Sequence, residues 1–314
     1  MKRPISLIID DPAPCLQVYY YHIDPPVTAY GDPLKREMPV SFLTDFCDVI
    51  EKYGIKGKFS VVPMAGGQGD LRHGYNGISK ANTDKWLETV RKRVMPNFSI
   101  CSEILSHHKA LDLATGNWLD VKEDEWVRTH SLEEITDYVA FSLEQLRDAG
   151  LNPTGVTSPW YTGIEVEDIY AEAISRAFKQ VLNKNDCWYF LHSTKELNVK
   201  PQLVKYEDGR RIVSIWATFA DQGWPLIGKP GVTDEELERV ADYFISADGS
   251  TGRIIDMLGD TGWPVLICHW QTLFSNGSRA GLKVLEIAAS RIEKYLSDKV
   301  EWTDFAGLMR LTLA

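Results

Sequence analysis

Short apolar runs of strand length alternate along this chain with longer stretches in which apolar residues recur every three or four positions, an alternation that predicts a parallel sheet with crossover helices. Ile5 through Ile9 read as a buried first strand that ends in two adjacent carboxylates, Asp10 and Asp11. Pro12 and Pro14 stop it, and a loop rich in Pro and Tyr follows over residues 12–38. Phe42, Phe46, Val49, Ile50 and Tyr53 mark one face of a helix over residues 40–53, with Gly54 as its stop. The second strand covers residues 58–62 and is closed by Pro63. Asn82 or Thr83 is placed to cap a helix reaching Val94, and residues 98–101 read as the third strand. Ser131 with Glu134 forms a capping-box pair opening a helix that ends at Gly150. A short strand over 153–157, a helix over 166–181 and a strand over 187–191 continue the series. Two extended runs around Asp208-Gly209 predict a β-hairpin near 202–217, read as a ribbon inserted into the series. Thr233 with Glu236 opens another helix, residues 264–269 form a buried strand, 282–296 are amphipathic, and 300–302 add a last short strand. Neither an internal repeat nor a composition shift divides the chain, so a single domain over 1–314 is expected.

Charge narrows the partners. With 44 acidic against 34 basic residues, a net charge of −10 and no basic run, the chain is unsuited to electrostatic binding of nucleic acid or anionic membrane, which leaves small molecules or oligosaccharides. Neither a signal peptide nor a membrane-length apolar segment is seen, and a cytoplasmic location is expected. Cys15, Cys47, Cys101, Cys187 and Cys268 are widely spaced without a CxxC pair, which argues for buried thiols over a disulfide framework or structural zinc.

The candidate chemistry gathers at the C-terminal ends of expected strands: Asp10 and Asp11 after the first, Glu103 and His107 after the third, Thr157 and Ser158 after the fourth, and His269 at the end of a late one. In parallel α/β sheets and barrels those ends carry the site, because the following loops converge there. Strand alternation would send Asp10 and Asp11 to opposite sides of the chain, one to ligate and one to move protons.

The order of these pieces resembles the polysaccharide deacetylase superfamily, whose members share a chitooligosaccharide-deacetylase homology domain. Leu7 to Asp11 resembles the family's Thr-Phe-Asp-Asp motif, Gly57 to Val62 its second strand, and Glu103-Ile-Leu-Ser-His107 its Glu-Ile-Gly-x-His. Gly155 to Trp160 resembles Gly-Phe-Arg-x-Pro-Tyr, and Leu266 to His269 the final Leu-x-His. The resemblance implies a distorted or incomplete (β/α)7 barrel of the glycoside hydrolase/deacetylase type. It also implies Asp10 as general base, Asp11 and His107 as ligands of a divalent metal, and His269 as general acid. Zinc suits imidazole plus carboxylate. Trp160 and Tyr161, in a strand-end loop, are placed to offer a flat face to a sugar ring, and Asp221, in a Gly-rich loop, to hydrogen-bond substrate.

Two positions depart from the family. Leu111 stands where a second ligating histidine is expected, leaving His22, His108, Asp112 or water as the third ligand. Thr157 stands where an arginine pairs with the base, so Asp10 lacks its expected cation. The leading reading is a metal-dependent hydrolase of an amide or ester on a carbohydrate-like substrate. The alternatives are a metal-free carbohydrate-binding relative and a glycosidase built on carboxylates from Asp10, Asp11, Glu103 and Asp221.

Overall fold

A computed structural model describes residues 2–314. Its main sheet contains β1 (Arg3–Asp10), β2 (Gly57–Val61), β3 (Phe98–Glu103), β4 (Pro153–Thr157), β5 (Asp186–Phe190), β6 (Gln202–Lys205), β7 (Arg211–Ser214), β8 (Val265–His269) and β9 (Val300–Trp302). The order across it is β6-β7-β5-β4-β3-β2-β1-β8, with β9 also paired to β1. From β7 to β8 every neighbouring pair is parallel; only β6 runs antiparallel, at the edge. The result is a mixed α/β architecture around a curled half-barrel sheet. The hairpin therefore lies where its turn signal put it, but it is not an insertion. Its second strand, β7, continues the parallel sheet beside β5.

The helices are α1 (Val40–Lys52), α2 (Lys80–Thr89), α3 (Glu123–Thr129), α4 (Leu132–Asp148), α5 (Glu167–Leu182), α6 (Asp234–Ala241), α7 (Arg253–Gly259), α8 (Trp270–Phe274), α9 (Ala280–Leu296) and α10 (Phe305–Leu313). The Ser131–Glu134 capping box opens α4, and the Thr233 hydroxyl accepts from the Glu236 N–H at the start of α6. Ser79, not Asn82 or Thr83, caps α2, its hydroxyl accepting from the Asn82 N–H. Along β1, Ile5, Leu7 and Ile9 pack outward with Phe42 and Phe46 of α1, while Ile8 packs inside the curl with Trp188, Ile267, Phe305 and Leu308. Phe305 and Leu308 of α10 thus plug the interior near the strand starts, where the Ser99 hydroxyl donates to Asp304 and accepts from the Ala306 N–H. Trp188 lies across Gly155, whose Cβ would come within 2.2 Å of the indole.

The curl does not close by a ladder between β7 and β8. Thr218 bridges the seam: its N–H donates to the Val265 carbonyl at 3.0 Å, and its hydroxyl accepts from the Val265 N–H at 2.9 Å. Cys15, Cys47, Cys101, Cys187 and Cys268 are all buried free thiols. Among the described residues no helix is long and apolar enough to cross a membrane.

Candidate functional site

Asp10, Glu103, Thr157 and His269 are the last residues of β1, β3, β4 and β8, and Asp10 and His269 are register partners on adjacent strands. A cavity of about 250 Å³ opens at these ends. Asp10, Asp11, His22, Glu103, His107, Trp160, Tyr161, His269 and Gln271 are among its lining residues. Backbone geometry brings the tandem carboxylates there together. The strand ends at Asp10, and Asp11 takes a left-handed φ of 69°, so both acids reach the cavity and do not diverge as strict alternation would have them. Ile104, His107, Trp160 and Tyr161 share this rare conformation, with φ of 38°, 52°, 49° and 59°. Strain of this kind persists where the surroundings impose it, and it clusters at functional sites.

The cation that Thr157 does not supply comes from β2. Lys58 is fully buried, forms an ion pair with Asp10, and donates to Ser60 and to the Thr157 hydroxyl. Ser60 adds a second hydrogen bond to the same Asp10 oxygen at 3.0 Å. Asp10 is therefore not without a partner, and Thr157 has become one of the acceptors that hold the lysine. A charged pair this dry is stable only when its remaining hydrogens are also satisfied.

Asp11, Glu103 and His107 form a second group whose candidate donor atoms all lie within 4.8 Å of one another. His107 Nε2 is 3.0 Å from Asp11 Oδ1 and 3.7 Å from Glu103 Oε1. The Asp11 N–H donates to Glu103 Oε2 at 2.7 Å, and the Gln271 amide donates to Asp11 Oδ2. Burial pushes the Asp11 carboxyl up, but His107 beside it prevails and holds it far below the usual carboxylate range. Burial and the charges of Asp11 and Asp10 push Glu103 the other way, well above that range. His107 is disfavoured as a cation by burial yet raised overall by Asp11.

The loop carrying His107 is held by a residue that motif reading passed over. Glu123, at the start of α3 and fully buried, accepts from the N–H groups of Leu105, Ser106 and His107 at 3.1, 2.9 and 2.8 Å, and from the Tyr138 hydroxyl at 2.9 Å. Burial pushes its carboxyl up to about 7 against those donors. A hairpin of Lys109–Leu111 with Trp118–Lys122 precedes α3.

Of the three side chains expected as a third ligand, none joins the group. His22 Nε2 donates to the His107 carbonyl at 2.8 Å, its ring stacks on His107 at 4.7 Å, and burial, reinforced by His107, lowers it to about 3. Asp112 sits in the turn of the hairpin, where it accepts from Ala114 and Thr115. His108 lies outside the cavity lining, and Leu111 is buried with its N–H on the Tyr138 hydroxyl.

Asp221 is also placed differently from expectation. Its buried side chain stands behind His269, not on the open face for substrate. Asp221 Oδ2 accepts from His269 Nδ1 and from the His269 N–H, both at 2.8 Å, and from the Thr272 hydroxyl, while Oδ1 accepts from the Gly223 N–H. Burial opposes a proton on His269, but Asp221, with Asp11 and Asp10 behind it, raises the ring to about 9. Trp224 lies 4.8 Å from His269 and Trp160 lies 4.6 Å from both His22 and His107. Tyr161 is 52% exposed, whereas Trp188 and Trp270 are core residues. Trp160, Tyr161 and Trp224 line the cavity, together with Tyr19 and Phe190.

No family model matches the chain, and no curated protein matches it. Among solved structures it is similar to a protein described as "putative polysaccharide deacetylase" from Mycobacterium smegmatis, at 14% identity and a TM-score of 0.47, over 87% of this chain and 78% of that one. It is also similar to a 4-alpha-glucanotransferase from Thermococcus litoralis, at 11% identity and a TM-score of 0.47, over 99% of this chain and 40% of that one. Both TM-scores lie below 0.5, and neither likeness transfers a fold or an activity.

Proposed function

We propose that this chain is a hydrolase that cleaves an N- or O-acyl bond, of the acetyl kind, on a carbohydrate-like small molecule. One observation supports this above the others: Asp10, paired with Lys58, and His269, paired with Asp221, stand at neighbouring register positions on one rim, beside the Asp11–His107 pair.

Asp11 and His107 fit a divalent cation by donor chemistry, a carboxylate and an imidazole converging in a buried pocket; zinc suits such a set. Bound there, such an ion supplies Lewis-acid polarisation of the acyl carbonyl and acidifies a water. The chain's own groups do the rest. Asp10 accepts the proton of the attacking water. His269, raised to about 9 chiefly by Asp221, gives a proton from Nε2 to the departing nitrogen or oxygen as the acyl bond breaks. Asp221 fixes which ring nitrogen faces the cavity, because it occupies Nδ1. Trp160, Tyr161 and Trp224 offer ring faces to the sugar.

The test is acetate release from a panel of N- and O-acetylated saccharides by the metal-supplemented protein, with Asp10→Asn and His269→Gln alongside. Each variant is expected to lose about 10²–10⁴ in rate. Absence of acetate from every member, or an Asp10→Asn enzyme at full rate, would refute the reading. Leu111, buried where a second imidazole belongs, favours one other reading, a relative that binds carbohydrate without cleaving it. That reading expects a tryptophan-fluorescence change with saccharides, no bound metal and no acetate.

A further inference from the structure

The charges lining the cavity pair off unevenly. Asp10 is matched by Lys58 and Asp221 by His269, which leaves Asp11 and Glu103, two buried carboxyls, facing the single imidazole of His107. Glu103 is not free to turn away: its Oε2 is fixed by the Asp11 N–H at 2.7 Å, which leaves Oε1 as the oxygen on the His107 side, 3.7 Å from Nε2. With His107 Nε2 at 3.0 Å from Asp11 Oδ1, these are separations of donors that share one ion at about 2.1 Å from each. A further polar group points to a ligand. Gln271, 2% exposed and part of the cavity wall, donates to Asp11 Oδ2 while its own Oε1, buried, has no hydrogen-bond partner among the described residues. The residues that would otherwise complete the set are engaged elsewhere, His22 on the His107 carbonyl and Asp112 in its hairpin turn.

We propose that Glu103 is the third metal-binding side chain, so that Asp11, Glu103 and His107 form a set of two carboxylates and one imidazole in which glutamate from the strand end does the work expected of a histidine at position 111. The inference rests on the metal-dependent reading above and specifies its site. Two carboxylates match the charge of a divalent cation, which also explains how two acids can be tolerated so close together in a dry pocket.

The experiment is equilibrium dialysis of the full chain against Zn²⁺, with bound metal measured by elemental analysis, for the wild type, Glu103→Gln, His107→Ala, His22→Ala, His108→Ala and Asp112→Asn. The isosteric Gln keeps an acceptor for the Asp11 N–H. Loss of an outer-shell partner weakens metal binding roughly 10–100-fold, so loss of a direct ligand in Glu103→Gln is expected to weaken it at least about 100-fold. His108→Ala and Asp112→Asn are expected to stay within about twofold of wild type, within the range of surface changes. X-ray absorption at the zinc edge of the wild type needs no variant and is expected to show scattering from one imidazole. Two imidazoles, an unchanged Kd in Glu103→Gln, or no zinc bound by the wild type would each overturn the proposal. Acetate release by a protein that binds no zinc would overturn it and leave hydrolysis standing, whereas Glu103-dependent zinc without acetate release would do the reverse.

Discussion

Replacing Asp221 by Asn tests whether His269 is held as an acid. The ring is half-buried at the head of α8, where loss of hydration disfavours its cation, yet it is raised from 6.5 to about 9, with the Asp221 hydrogen bond as the largest favourable contribution. That displacement corresponds to about 3 kcal/mol in favour of the protonated ring. Asn keeps the shape and can still accept from Nδ1 but carries no charge, so the only carboxylate charges left to oppose burial are those of Asp11 and Asp10. The His269 pKa is expected to fall by about one unit or more. The assay is a ¹⁵N-edited NMR titration of the imidazole rings, with the His269 resonance assigned by its loss in His269→Gln, and it requires no substrate. Stability should follow in a definite direction. A folded-state pKa raised above 6.5 contributes fully below 6.5 and is lost as pH rises through about 9. The stability gap between wild type and Asp221→Asn, measured by urea unfolding, should therefore be wide at about pH 6 and narrow at about pH 10. A wild-type ring titrating near 6.5, or an unchanged ring in Asp221→Asn, would refute the reasoning.

Lys58→Met strips the Asp10 carboxylate of its cation inside a dry pocket and is expected to cost about 3–5 kcal/mol in urea unfolding, against far less for Lys58→Met combined with Asp10→Asn. Glu123→Ala leaves three consecutive N–H groups without an acceptor, and hydrogen exchange at Leu105, Ser106 and His107 should accelerate before exchange elsewhere does. Trp160→Ala removes a ring from the cavity wall and is expected to weaken saccharide binding by about 1 kcal/mol or more, read from the remaining tryptophan fluorescence. The five thiols are expected to react with an aromatic disulfide reagent only after unfolding, since every one is buried.

The parallel order of the sheet and the convergence of Asp10, Asp11, His107 and His269 were legible because three of them lie at a hydrophobic run's end and His107 four residues beyond the end of one, and strand ends converge. What escaped depended on long-range contacts. Lys58 interrupts an apolar strand, which is a visible oddity, but only the fold shows that its ammonium lies between Asp10 and Thr157. Glu123 sits in a charged run, Glu123-Asp-Glu125, that looks like a solvated helix start, and nothing local distinguishes the buried member from its neighbours. For Asp221 the sequence marks the loop but not the direction, because a Gly-rich turn does not reveal which way its carboxylate faces. The divergence expected of Asp10 and Asp11 failed for a simpler reason: alternation ends with the strand, and the strand ends between them.

The bridge at Thr218 gives the rim an uneven mechanical character. Around most of the curl, neighbouring strands are locked over several residues, whereas here one residue spans the gap, and Asp221 follows only three positions later. The loop that brings Asp221 to His269 thus starts from the singly spanned join, while the His269 backbone is itself held beside Asp10 by the β1–β8 ladder. The imidazole of His269 is therefore braced from two unequal sides, its main chain by a five-pair ladder and its Nδ1 by a carboxylate whose loop begins at a single-residue join.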